Sequence, residues 1–279
     1  MEQAIPIQTL HLFPVLDKLL LELLASLSPE EWHMPTVAKQ WNVKDIAAHL
    51  LDGNIRAIAA LHGYQSNEPP PQINNYQDLV AYLNNLNAVW VKAMKRVSPA
   101  YLMAQLESTG EQYIQYLHML PPFAQAMYSV AWAGEDSSLN WFHIAREYTE
   151  KWHHQQQIRD AVGKPGLMTK ELFYPAMDTF MCALPHTYRN THVDEGTILK
   201  VTVTSDAGGE WYLKRTVDKW ALMKERPVYA TDSSVTLSPD VAWKLFTKAI
   251  TPDAARAAAM VEGDNRLAAP IFGMLAVMA

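Results

Sequence analysis

One stretch constrains this chain more than any other: LNWFHIAREYTEKWHHQQQIRDAVG, residues 139–163. It reads as a single amphipathic helix closed by Gly163. At about 3.6 residues per turn, Glu150 and His154 stand one turn apart and point the same way. A carboxylate and an imidazole so placed can share one metal ion. A third donor, His49, lies far upstream in an otherwise apolar helical segment. Two histidines and one carboxylate on separate helices of a bundle form the smallest constellation that makes an open, catalytic-type metal site.

Each of these residues also has a plainer reading. The face through His143, Glu147, Glu150, His154 and Gln157 is polar, and taken alone such a face is more often simply a solvated surface. His49, within residues 46–51, lies on an apolar face, where a lone histidine is more often a satisfied core residue than a ligand. Asp45 lies one turn before His49 and Asp52 three residues after it, and either could accept the ring N–H that a metal-bound imidazole donates. Asp45 also reads as a first-turn carboxylate facing the helix dipole. His153 is three residues from Glu150 and within reach of the same face. Trp32, Trp41, Trp90, Trp141 and Trp152 read as core anchors between helices.

The first ~170 residues carry helical patterning. Apolar residues recur at helical spacing over 10–27, with Ser28 and Pro29 as a stop. A second helix is expected over 43–61, closed by Gly63, and a loop at Glu68, Pro69, Pro70 and Pro71. Two more helical patterns, 76–97 and 99–120, meet at Ser98 and Pro99, a cap and first-turn proline. Pro121 and Pro122 open a longer loop before the helix of 139–162. The expectation is a bundle of about four long helices with one long crossover region. Beyond about residue 190 the composition shifts. Strands are expected at 197–204, 210–217 and 220–224, forming an antiparallel meander. Ser238 and Thr251 each cap a helix, and a last apolar helix is expected to follow Gly263 and Asp264. The fold class expected is therefore an α-helical four-helix bundle followed by a small α+β domain, divided at 1–168 and 169–279.

Hydrophobic residues make up 49% of the 279 residues and charged residues 19%, which supports a sizeable core. A net charge of −6 with no basic run argues against a nucleic-acid partner. No apolar stretch reaches membrane-spanning length, since Glu22 and Ser26 break the longest. The N-terminus lacks the basic segment and cleavage site of a signal peptide. The single cysteine, Cys182, forbids an intrachain disulfide and fits a reducing, cytoplasmic setting. In its apolar run it reads as a buried small hydrophobe, not a nucleophile. The absence of a Gly-rich phosphate loop, G-x-S-x-G, H-E-x-x-H and C-x-x-C removes most nucleotide, serine-hydrolase, zincin and dithiol readings.

Trp32, Pro35, Thr36, Trp41, Val43, Asp45, Ala48, His49 and Leu50 compose a "W..PT....W.V.D..AHL" pattern. It resembles a signature of the mycothiol-dependent maleylpyruvate isomerase-like proteins, members of the DinB-like metal-binding bundle superfamily. Residues 146–163, with Arg146, Glu150, Trp152, His154, Arg159 and Gly163, are similar to that family's second signature. The resemblance covers roughly residues 10–166. It implies that His49, Glu150 and His154 occupy the family's metal-ligand positions, with a divalent metal, usually zinc, held in the bundle. A low-molecular-weight thiol is the second cofactor implied. His153 stands where an aliphatic residue is usual. The C-terminal part, through Gly263, Asp264 and domain order, is similar to the sterol-carrier-like domain that often follows the bundle.

Two histidines and one glutamate leave a coordination position open for water or a thiolate. Metal coordination favours the thiolate of a small thiol at neutral pH. A thiolate adds reversibly to an activated double bond, rotation follows, and elimination gives the other isomer. The activity expected is thus a thiol-dependent isomerase or S-transferase acting on a small acidic metabolite. Lys214 and Arg215 are candidate cations for its carboxylate, or else a solvated strand face. Two alternatives are a metal-dependent hydrolase with Glu147 as general base, and a non-enzymatic small-ligand binding protein with a structural metal. Nothing in the sequence defines an oligomeric state.

Overall fold

The structure, a computed structural model, describes residues 3–64, 71–223 and 225–278. The loop expected at Glu68, Pro69 and Pro70 lies outside the described residues, as does Lys224 at the expected end of the third strand.

All five helical stretches read from periodicity are helices. They are α1 (Phe13–Ala25), α2 (Val43–Leu61), α3 (Tyr76–Met94), α4 (Pro99–His118) and α5 (Asn140–Val162). Their starts are written in cap chemistry. Asn42 and Asp45 form a reciprocal capping box on α2, and Asn75 and Ser98 accept the N–H groups of Asp78 and Tyr101. Gly163, at φ 65°, takes the left-handed conformation that ends α5.

Contacts group the chain into two compact units. The helical unit holds Thr9–Ala124 and Glu150–Gly166. Its core joins Leu20, Leu23 and Leu24 of α1 to Ile46, Ala47, Leu50 and Leu51 of α2, Leu102 and Leu106 of α4, and Ile158 of α5. These four helices supply the bundle. The third helix buries only Asn87 and Val91. It is pinned to α2 by the Trp90 indole, which donates to the Ala48 carbonyl at 2.8 Å.

The second unit holds Gln125–Thr149 and Leu167–Val277. Helices α6 (Lys170–Met181) and α7 (Leu184–Thr187) precede strands β1 (Ile198–Val203), β2 (Gly209–Arg215), β3 (Trp220–Met223) and β4 (Ser233–Leu237). Helices α8 (Pro239–Phe246) and α9 (Pro252–Ala258), strand β5 (Met260–Gly263) and helix α10 (Asn265–Ala268) complete it. The sheet order is β3-β2-β1-β4-β5. The meander β1–β2–β3 is as expected, but the sheet is mixed, not antiparallel, because β4 pairs parallel to β1. Neither β4 nor β5 was expected. SSVTL is short and hydroxyl-rich, and β5 is an exposed edge strand. Helix α6 was hidden by its interior Pro175. The expected final helix is instead short α10 and a 3₁₀ segment, Ala269–Gly273. Among the described residues no helix is long and apolar enough to cross a membrane.

Candidate metal centre

The first histidine is aimed by the loop ahead of α2. Trp32 is buried in the bundle core. Pro35 bridges to Asn42, and the Thr36 hydroxyl donates to the Trp41 carbonyl at 2.8 Å. The Val43 N–H donates to the Met34 carbonyl. This folded-back loop presents the Trp41 ring and hands the chain to the capping box. Val43, Ala47, Ala48 and Leu50 then bury one side of α2, and His49 projects beside Trp41. Each position of the first signature thus has a physical task.

The other two donors come from α5. The sequence K-W-H-H-Q-Q-Q-I-R, residues 151–159, has only two apolar members, yet every one of the nine is buried. The solvated-face reading of this helix is therefore overturned. Burial of so many polar groups requires partners. Lys151 Nζ donates to Asp17 at 3.1 Å and Asn54 at 2.8 Å, and lies over the Tyr113 ring. The Arg159 guanidinium donates to the Pro165 and Leu19 carbonyls.

His49, Glu150 and His154 each bring one ligand atom into a group whose members all lie within 4.8 Å of one another. The Glu150 carboxylate stands 3.5 Å from His154 Nε2. The two imidazoles are 4.6 Å apart, centroid to centroid, and meet edge to face. Trp41 packs against both, at 4.8 Å from His49 and 6.0 Å from His154. His154 Nδ1 and Gln157 Oε1 are 2.9 Å apart. Donation from Nδ1–H to that amide oxygen leaves the Nε2 lone pair facing Glu150. The Nδ1 of His49 is buried and has no hydrogen-bond partner. Burial holds this imidazole well below the usual histidine range; His154 adds to the depression and Glu150 opposes it. A neutral imidazole with an orphaned nitrogen, a second with its tautomer set from outside, and a carboxylate within reach of both have the donor chemistry to suit a divalent cation.

Other residues singled out in the sequence go elsewhere. Asp45 is used in the α2 cap and Asp52 pairs with Arg56 at 3.0 Å, so neither accepts a ring N–H from His49. The His153 ring lies 3.9 Å from that of His154 but is outside the three-residue group. Arg146 contacts Glu147 at 2.6 Å, with His143 3.9 Å away. Lys214 and Arg215 lie on β2 in the sheet-bearing unit. Burial pushes the Cys182 thiol up to about 12, so it holds no thiolate at neutral pH. Sequence reasoning missed Gln157 as the outer partner of His154, though its place three residues on was visible. It also missed Trp41 as the wall shared by both rings.

The fold and this group define a helical bundle with an inward-facing His–Glu–His set, followed by a small α+β region. The sequence matches the family described as mycothiol maleylpyruvate isomerase N-terminal domain over residues 15–159, more than half of the chain. The chain belongs to that family. A solved structure of the mycothiol-dependent maleylpyruvate isomerase superposes with a TM-score of 0.51 at 11% identity, covering 85% of this chain and 86% of that one. A point mutant of that enzyme superposes with the same coverage and TM-score, at 10% identity. At such identity the likeness is one of fold. Sterol carrier protein 2 from Yarrowia lipolytica aligns with 28% of this chain and 66% of its own at 24% identity, with a TM-score of 0.23 that carries no argument. No curated protein matches the sequence.

Proposed function

We propose that His49, Glu150 and His154 hold one divalent metal, with zinc the best chemical fit, and that the protein is a thiol-dependent isomerase or S-transferase acting on a small acidic metabolite. The observation that carries this reading is the convergence of the three ligand atoms within 4.8 Å. It is supported by a histidine tautomer set from outside and a buried ring nitrogen that has no other partner. When bound, the metal supplies a positive centre with a coordination position left open, which favours the thiolate form of a small thiol.

The chain's own residues do the rest. Gln157 orients His154, and burial keeps His49 neutral so that its lone pair is available. Trp41 covers both rings with an apolar wall that keeps water from competing for the ligands. Cys182 is no substitute for an external thiol, because its own is held protonated. The family membership supports the thiol requirement. Hydrolysis is the weaker reading, since Glu147, its candidate base, is engaged by Arg146. The division at 1–168 and 169–279, with a sterol-carrier-like second part, belongs to the same proposal.

Elemental analysis of the purified protein tests it. About one metal ion per wild-type chain is expected, lost in His49→Ala and Glu150→Ala while the helical circular dichroism persists. A wild-type protein that takes up no metal even when zinc is supplied would overturn the reading. Metal without any dependence of turnover on added thiol would leave the site and remove the isomerase.

A further inference from the structure

The helix that carries His49 carries a second polar feature on the same side. Asp52 and Arg56 follow His49 by three and seven residues, so all three lie along one face of α2 within two turns. Helical side chains lean toward the N-terminus, and Arg56 does so: its Nε donates to Asp52 Oδ2 at 3.0 Å, one turn back toward His49. The pair is unlike an ordinary surface ion pair. The Asp52 side chain is only 11% exposed while that of Arg56 is 51% exposed. A sunken carboxylate therefore grips an arginine by its inner nitrogen. Arg56 makes no other hydrogen bond among the described residues, so both terminal nitrogens of its fork remain available.

We propose that Arg56, held in place by Asp52, seats a carboxylate group of the substrate beside the His49–Glu150–His154 group. Two parallel N–H donors on a planar fork match the two oxygens of a carboxylate, and a lysine cannot reproduce that geometry. Seven residues of helix separate Arg56 from His49 by a rise of about 10 Å, and the Arg56 side chain reaches back along that distance to Asp52. A small acid held by one end would thus present its other carbons to the site. This inference rests on the reading of the site given above, and it assigns to α2 the cation first sought at Lys214 and Arg215.

The test uses the full-length protein loaded with zinc and titrated calorimetrically with fumarate as probe, in wild type, Arg56→Met and Arg56→Lys. Metal content is measured on each sample. The expected result is unchanged metal stoichiometry, with fumarate affinity weakened about tenfold or more in Arg56→Met and only partly restored by lysine. Full metal loading with equal fumarate affinity in wild type and Arg56→Met overturns this inference alone. So does a metal-loaded wild type that binds no fumarate. A wild type without metal overturns the proposed function, and this inference falls with it.

Discussion

Gln157 is a neutral amide, but its position makes it a control on the His49–Glu150–His154 group. Its oxygen faces His154 Nδ1 at 2.9 Å, and so decides which ring nitrogen carries the proton. Gln157→Leu keeps the bulk and removes the acceptor. The expected outcome is a loss of about ten- to a hundredfold in zinc affinity, measured by competition with a chromophoric chelator. Unchanged affinity would show that the tautomer is set by something else. This residue also shows where reading a sequence stops. The spacing of Glu150 and His154 was visible because helical periodicity is regular. The role of Gln157 was not, because a glutamine three residues from a histidine is equally at home in water.

At the scale of elements, α5 reverses the usual rule that a buried helix is apolar. It is held by specific polar partners, and the pairing of Lys151 with Asp17 and Asn54 ties it to α1 and α2. Lys151→Met would leave a carboxylate that is only 16% exposed without its cation. Breaking a buried pair from one side costs about 3–5 kcal/mol. Urea unfolding should show a loss of about that size, and a loss under about 1 kcal/mol would mean that Asp17 finds water or another partner. Patterning alone could not place these contacts. A polar helix face in sequence is compatible with solvent or with a buried network, and only the identity of the facing residues decides. The same limit hid β4, β5 and α6, whose hydroxyl-rich, edge-exposed or proline-bearing sequences carry weak local signals. The long helices were legible because caps and periodicity agree along their whole length.

For the molecule as a whole, the sheet-bearing unit stores protons. Burial raises the Cys182 thiol from 9.0 to about 12 and raises the phenols of Tyr148 and Tyr188 well above their ordinary range. The folded chain therefore keeps protons that the unfolded chain releases at alkaline pH. Stability from these groups is fully present below about pH 9 and is lost as pH rises toward the folded-state values. Thermal unfolding midpoints should fall progressively from pH 9 upward, and Cys182→Ser should flatten the first part of the decline. A midpoint that holds level to pH 11 would contradict the burial of these groups.

Between Thr149 and Glu150 the chain leaves one compact unit and enters the other in the middle of an unbroken helix. No linker exists there for an insertion or a breakpoint to exploit. The sheet-bearing unit draws on residues 125–149 as well as on 167–277, and the helical unit needs 150–166 to bring Glu150 and His154 to His49. A gene cut once, at any position, would therefore never deliver both units whole. Either unit can therefore be moved to a new neighbour only with a stretch of the other still attached.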